Sequence, residues 1–291
     1  MGFNYNTVKL LVHSKRYGVD FGKVITIGRQ AMHLEEKEFS QILRKINIDE
    51  KVSVNAFKSN PYCEDFLKLI GANKVDSLDA SDYENSSIIF DLNKPLDNNS
   101  NYEKYSTVID GGSLEHIFNF PTAIQNCMKM VDVEGHFIGI SPANNFFGHG
   151  FYQFSPELFF RIFSENNGFE MIKMFLFGIR NKRNIYEVSD PLAMKERGKI
   201  INAEPLYLFV IAKKIKECEA FGIVAQQSDY EHIVWKGRTK TINPSYQFKA
   251  LIKNLLPNKI RQKLVLFKYK ILILTKLLGV KNSKHFIKIE L

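Results

Sequence analysis

Short apolar runs that end on glycine or an acid recur along this chain, and amphipathic stretches separate them. KVITIG (23–28) is a β-branched run closed by Gly28 and predicts a buried strand. Phe39, Ile42, Leu43 and Ile46 then recur at helical spacing. A second helix is expected over about 64–70, stopped by Gly71. NKVDSLD (73–79), SSIIFD (86–91) and YSTVID (105–110) each read as a strand ending on an acid. Ile117, Phe120, Ile124, Met128 and Val131 share one helix face. EGHFIGIS (134–141), EMIKMFLFG (170–178) and PLYLFVIAKK (205–214) predict three more strands, with a helix over 156–165 between the first two. The first 22 residues show no clear period. The stretch from Gly28 to the second strand is longer than one helix requires, so an insertion is expected there.

Strands alternating with helices predict an α/β fold: an open, mostly parallel sheet, doubly wound with helices on both faces. Such sheets bind ligands outside the carboxyl ends of their strands. That is where the glycines and acids of this chain fall. Gly28 ends the first strand and permits close backbone approach. Asp79, followed by Ala80, ends the second; its carboxylate can accept both hydroxyls of a ribose. Asp91, followed by Leu92, ends the third and can accept an adenine amino group beside the Leu92 backbone. Asp110, Gly111 and Gly112 end the fourth. A single acid at such a place is commonly a turn or cap residue. Two on adjacent strand ends, Asp79 and Asp91, form a more specific pattern.

The run DGGSLEHIFNFPTAIQNCMKMV…GHFIGISPANNFFGHGFYQFSPELFFRIFS (110–164) resembles a group of bacterial methyltransferase-like proteins of the Rossmann-type, S-adenosylmethionine-dependent superfamily. SLDASDYENSSIIFDLNKPL (77–96) is similar to the same group, and the resemblance covers roughly 23–214. It implies a seven-stranded sheet with only the last strand antiparallel. It also implies S-adenosylmethionine as cofactor, with Asp79 at the ribose, Asp91 at the adenine, and Gly28 and 110–112 near the methionine. Such proteins often serve surface-polysaccharide pathways, so the implied reaction is O-methylation of a sugar or glycan precursor. One departure stands out. The superfamily's acid-x-Gly-x-Gly-x-Gly turn is replaced by Ile27-Gly28-Arg29-Gln30. Arg29 there either pairs with the methionine carboxylate or faces solvent. The degenerate turn also supports a second reading, a non-catalytic binding or scaffold protein of the same fold.

A hydroxyl nucleophile benefits from a general base, and histidine is the usual one. His149 lies in GHGFYQ after the fifth strand, flanked by glycines and followed by Tyr152 and Gln153. It is either that base or a loop histidine bonded to backbone. His116, beside Glu115 at the fourth strand end, is the second candidate, or else a buried, hydrogen-bonded imidazole. Tyr152 is a further catalytic candidate. No cluster has metal-ligand spacing along the chain, so no metal is expected.

Charge changes the picture in two places. The loop expected over 178–204 carries Arg180, Lys182, Arg183, Lys195, Arg197 and Lys199. It is either a basic lid suited to an anionic acceptor or a solvated surface loop. The net charge of +9 is also uneven. Residues 236–291 hold 14 Lys and Arg against one acid, Glu290, and the other 235 residues sum to −4. Within this tail, 246–256 and 258–278 read as helices, the second with Ile260, Leu264, Phe267, Ile271, Leu274 and Leu278 on one face and Lys259, Lys263, Lys268 and Lys270 flanking it. The expected organisation is therefore an N-terminal segment (1–22), a cofactor-binding domain (23–214), a linker (215–244) and a basic, amphipathic helical extension (245–291). The extension suits an anionic membrane surface, a homodimer contact, or packing on the body. No nucleic-acid-binding motif is evident. Three scattered cysteines and the absence of an apolar leader in MGFNYNTVKL point to the cytoplasm, with the tail leaving room for a peripheral place at the inner membrane face.

Overall fold

The structure, a computed structural model, describes residues 2–96, 104–179, 182, 184–195, 198–200, 202–222, 225–228, 262–263, 266–267, 280 and 283–291. Along the chain it forms β1 (Gly2–Asn4), α1 (Tyr5–Ser14), β2 (Lys23–Ile27), β3 (Ala31–His33), α2 (Glu36–Arg44), α3 (Glu50–Ser59), α4 (Glu64–Leu69), β4 (Lys74–Asp79) and β5 (Ile88–Ile89). It continues with β6 (Tyr105–Asp110), α5 (Phe120–Met130), β7 (Val131–Asn144), α6 (Pro156–Ile162), β8 (Phe169–Gly178), β9 (Ile185–Val188), α7 (Pro191–Met194), β10 (Leu206–Lys214) and β11 (Phe286–Ile289).

Among the described residues the main sheet has nine strands, in the order β11-β9-β8-β10-β7-β6-β2-β4-β5. From β2 the chain steps outward to β4 and β5; from β6 it steps the other way, to β7. The order therefore reverses between the adjacent strands β2 and β6, a topological switch point. β2, β4, β5, β6 and β7 run parallel, and β10 inserts antiparallel between β7 and β8. The expected antiparallel last strand is thus β10. The expected count of seven falls short, because β9 and β11 extend the edge beyond β8 by antiparallel pairing. β9 and α7 lie within the stretch read as one long polar loop. Their polar outer residues hid them, while Ile185, Tyr186 and Val188 are buried.

Alternating residues of the central strands feed two cores. Val108, Phe137, Leu208 and Val210 pack with α5 and α6 on one face, where Phe137 stacks on Phe163 at 4.8 Å. Ile109, Ile138, Phe209 and Ile211 pack with α1, α2 and α4 on the other. The sheet is therefore doubly wound. The first 22 residues belong to the body: Phe3, Val8, Leu10 and Leu11 are fully buried, and Asn6 Nδ2 donates to the Gly178 carbonyl. The first crossover, from β2 to β4, holds the expected insertion, which includes α3. It also begins with β3, paired to β1, ahead of the expected helix α2. The start of the expected linker is packed too, since the Ile215 amide donates to Gly168 O and Gln125 to Ala220 O. At the end of the basic tail, Phe286–Ile289 is an edge strand on β9 instead of helix. Almost all of the two expected tail helices, 246–256 and 258–278, lies outside the described residues.

β7 places His136 in the sheet opposite Thr107 and Lys213, with neither ring nitrogen hydrogen-bonded. Burial, with Lys213 adding to it, lowers its pKa from 6.5 to about 4. The unfolded chain then binds more protons between these values. His136 therefore leaves stability intact above pH 6.5 and removes it as pH falls towards 4, with a slope of up to ~1.4 kcal/mol per pH unit. Urea midpoints measured across that window should decline, and His136→Gln should flatten the decline. Parallel profiles for the two proteins would contradict this.

Candidate functional site

The strand register sets the site. Ile27 pairs with both Leu78 and Asp110, and Leu78 with Ile88, so four strand ends finish nearly level. Outside them, at the switch point, lies a cleft of about 330 Å³. Its lining includes Gly28, Asp79, Ala80, Asp91, Leu92, Gly112 and His116. Seven residues expected at the cofactor or the chemistry thus share one hollow, although they come from four separate stretches of chain.

Each is held for a physical reason. Gly28 has φ +70°, and its amide donates to Leu78 O at 2.7 Å. A β-carbon there would sit 2.9 Å from Ser113 Oγ, so both conformation and space require glycine. Asp79 stands at the end of β4, with Oδ1 accepting from the Ser81 amide at 3.3 Å and its backbone carbonyl accepting from Phe90. Asp91 Oδ1 accepts from the Asn93 amide at 3.0 Å and from Asn93 Nδ2 at 2.9 Å. Those two bonds hold its carboxyl below the usual range.

Four expected site residues are placed elsewhere. Arg29 turns to α4: its Nε meets Glu64 Oε1 at 2.6 Å, and its guanidinium lies 4.0 Å over the Tyr62 ring. It is half-buried on α4 and does not line the cleft. Gln30 is buried beneath the turn, donating to Ile27 O at 2.6 Å. Gly111 is buried against the Gln30 amide, which a β-carbon at 111 would overlap. Asp110 is fully buried under the cleft floor; its Oδ1 accepts from the Ser113 and Leu114 amides at 2.8 and 3.3 Å. Gln30, Gly111 and Asp110 lie beneath the cleft and do not line it. A buried side chain and a cleft-facing one at a strand end look alike in a sequence.

The two candidate histidines come together. Leu114–His116 is a single 3-10 turn, and the helix expected to open at Glu115 begins only at Phe120. The GHGFYQ loop lies on this turn: the Phe151 and Tyr152 amides donate to Glu115 O at 2.7 and 3.3 Å. Gly150 has φ +68°, and a β-carbon there would approach Glu115 O to 2.7 Å. The imidazoles of His116 and His149 consequently stand edge to face at 5.0 Å. Partial burial, then His149, lowers the pKa of His116, which favours its neutral form. Tyr152 does not join them. Its hydroxyl donates to Phe118 O at 2.6 Å, and its ring packs between Phe120 and Phe154, so its role is to hold the loop.

The site also includes groups the sequence did not single out for a role. Glu115 is wholly buried, and neither carboxylate oxygen has a hydrogen-bond partner. Burial raises its pKa, and the neighbouring Asp110 raises it further. Tyr207, on β10, is pushed up to about 12 by burial and by Glu115. Ser113 Oγ donates to Ile27 O at 2.8 Å and ties the end of β2 to the turn after β6. Asn93 joins the end of β5 to Asn119, before α5. Ser113 and Asn93 both line the cleft. A polar residue one or two places after a strand-end glycine or acid was the available signal for them.

The basic residues of 178–204 are described only in part. Lys182 pairs with Glu38, and Arg161 of α6 holds Asp190 at 2.6 Å beside α7. Arg180, Arg183 and Arg197 lie outside the described residues.

No protein-family model and no curated protein matches the chain. Solved structures do. A candidate methyltransferase from Bacillus halodurans is 8% identical over 72% of this chain and 99% of its own, with a TM-score of 0.40. A SAM-dependent methyltransferase from Aquifex aeolicus is 9% identical over 72% and 98%, with a TM-score of 0.34. A branched-chain polyamine synthase from Thermus thermophilus is 13% identical over 76% and 59%, with a TM-score of 0.35. At such scores these likenesses carry no weight for what the chain does; strand order and site residues carry it.

Proposed function

We propose that this chain is an S-adenosylmethionine-dependent methyltransferase acting on a hydroxyl group of a sugar or glycan precursor. One observation carries the reading: Gly28, Asp79, Asp91 and His116 share one cleft at the switch point of a doubly wound sheet. Asp79 accepts from the ribose hydroxyls and Asp91 from the adenine amino group. Gly28 and Gly112 leave room for the methionine. S-adenosylmethionine, when bound, supplies an electrophilic methyl on sulfur. His116, with His149 behind it, takes the proton of the acceptor hydroxyl as the new carbon–oxygen bond forms and the carbon–sulfur bond breaks. Positioning of acceptor and methyl is worth up to ~7–11 kcal/mol in such reactions.

A second reading, cofactor binding without turnover, is favoured by the β2 turn. No helix starts directly after it, and Arg29 is spent on Glu64. Titration calorimetry with S-adenosylmethionine and its demethylated product tests both readings. Micromolar binding of each is expected, and no binding at millimolar ligand excludes both. Methyl transfer to glycan acceptors then separates them. A peripheral membrane or homodimer role for 245–291 is part of the proposal, as is a cytoplasmic location. Among the described residues no helix is long and apolar enough to cross a membrane. Equal pelleting with anionic liposomes of chains with and without 245–291 would remove the lipid role.

A further inference from the structure

The sequence offered no metal-ligand spacing, because the relevant residues are 33 positions apart. The fold closes that gap. One oxygen of Glu115 and one ring nitrogen each of His116 and His149 lie within 4.8 Å of one another. His149 Nε2 is 3.6 Å from Glu115 Oε1, beyond hydrogen-bond reach. The geometry points to a binding site for a divalent transition ion at Glu115, His116 and His149, beside the cofactor cleft.

Three observations support it. First, a wholly buried carboxylate with both oxygens unpartnered is costly, and a cation bound between it and two imidazoles would relieve that cost. Second, the site is built. The backbone bonds from Phe151 and Tyr152 to Glu115 O, and the close approach of Gly150, hold the two histidine segments together. Third, the donor set is chemically coherent. Two imidazoles and one carboxylate suit zinc, manganese or iron(II), whereas magnesium and calcium prefer oxygen ligands.

Two ligands on one ion, each at ~2.1 Å, stand at most ~4.2 Å apart. The widest pair must therefore close by at least ~0.6 Å, and by more in a tetrahedral arrangement. His116 is exposed and can make that adjustment by rotating its side chain. Three protein ligands leave further positions open, and His116 lines the cleft, so those positions are within reach of a ligand there. If methyl transfer operates as proposed above, the loaded ion would replace His116 as the activating group: an acceptor oxygen on the ion would lose its proton more readily, to solvent. Occupancy of the site does not depend on that reading.

The test uses the full-length chain, stripped with a chelator and titrated with Co²⁺ in the absence of S-adenosylmethionine. One equivalent should bind, with visible ligand-field bands, and Zn²⁺ should displace it. Glu115→Gln and His149→Ala should each weaken Co²⁺ at least ~100-fold. His116→Ala, at an exposed position that leaves the fold intact by circular dichroism, should do so at least ~10-fold. His33→Ala, on β3, should change nothing. Absence of stoichiometric Co²⁺, affinity unchanged by His116→Ala, or binding of Mg²⁺ in preference to Zn²⁺ would overturn the assignment. Because no cofactor is present, failure here is distinguishable from failure of the methyltransferase reading.

Discussion

Asp79→Ala is expected to weaken S-adenosylmethionine about 10- to 100-fold, with little loss of fold. The reason is local. Asp79 ends β4 at the cleft, and its only side-chain bond among those described is a long one from the Ser81 amide. The carboxylate therefore has capacity to spare for a ligand, and hydrogen bonds to a charged group contribute ~1.5–3 kcal/mol. Asp79→Asn keeps the shape and one acceptor and should lose less. A ligand without the ribose 2′-hydroxyl sharpens the test. It should bind the native protein more weakly than the parent cofactor, but bind Asp79→Ala no more weakly than the parent does. Equal penalties in both proteins, by calorimetry, would remove Asp79 from the ribose. Asp91 is a poorer probe, since its Oδ1 already holds the Asn93 turn and its removal would disturb both.

Gly111→Ala should cost about 1–3 kcal/mol of stability, the usual range for forcing a methyl into a filled core. Its β-carbon would overlap the Gln30 amide, which is buried and bonded to Ile27 O. Gln30 can leave only by breaking that bond beneath the cleft. Gln30→Ala alone should also destabilise, by opening a void. Together the two changes should compensate, because the new methyl fills the space that the amide vacates. Urea unfolding of the four proteins forms the cycle, with a coupling of at least ~1 kcal/mol expected. Strict additivity would show that Gln30 does not support the floor. Cofactor affinity should fall in Gly111→Ala and recover in the double variant, which links packing under the cleft to binding in it.

Much of the molecule was legible along the chain. β2, β6, β8 and β10 fall where apolar runs end on glycine, acid or a charged pair, because inner strands covered on both faces must be largely apolar. Asp79 and Asp91 were legible for the related reason that a polar residue ending such a run stands at the mouth of the sheet. The short edge strands β9 and β11 were not legible. They have four residues each, and β11 finds its partner β9 about a hundred residues back along the chain. No local pattern specifies a strand that exists only because its neighbour offers an open edge.

The site divides in the same way. The residue types and their strand-end positions were determined by the sequence itself: Gly28, Asp79, Asp91, Gly112, and two histidines each beside a glycine or an acid. Tertiary structure decided which of them meet. It sent Arg29 to Glu64, buried Gln30 and Asp110 under the floor, and spent Tyr152 on the Phe118 carbonyl. It also set Glu115 and His149 together across a sequence separation of 34. Local sequence carries the periodicity that makes a strand or a helix, since those bonds form between near neighbours. Register, loop docking and burial arise from contacts between distant segments, and only the folded chain brings these together.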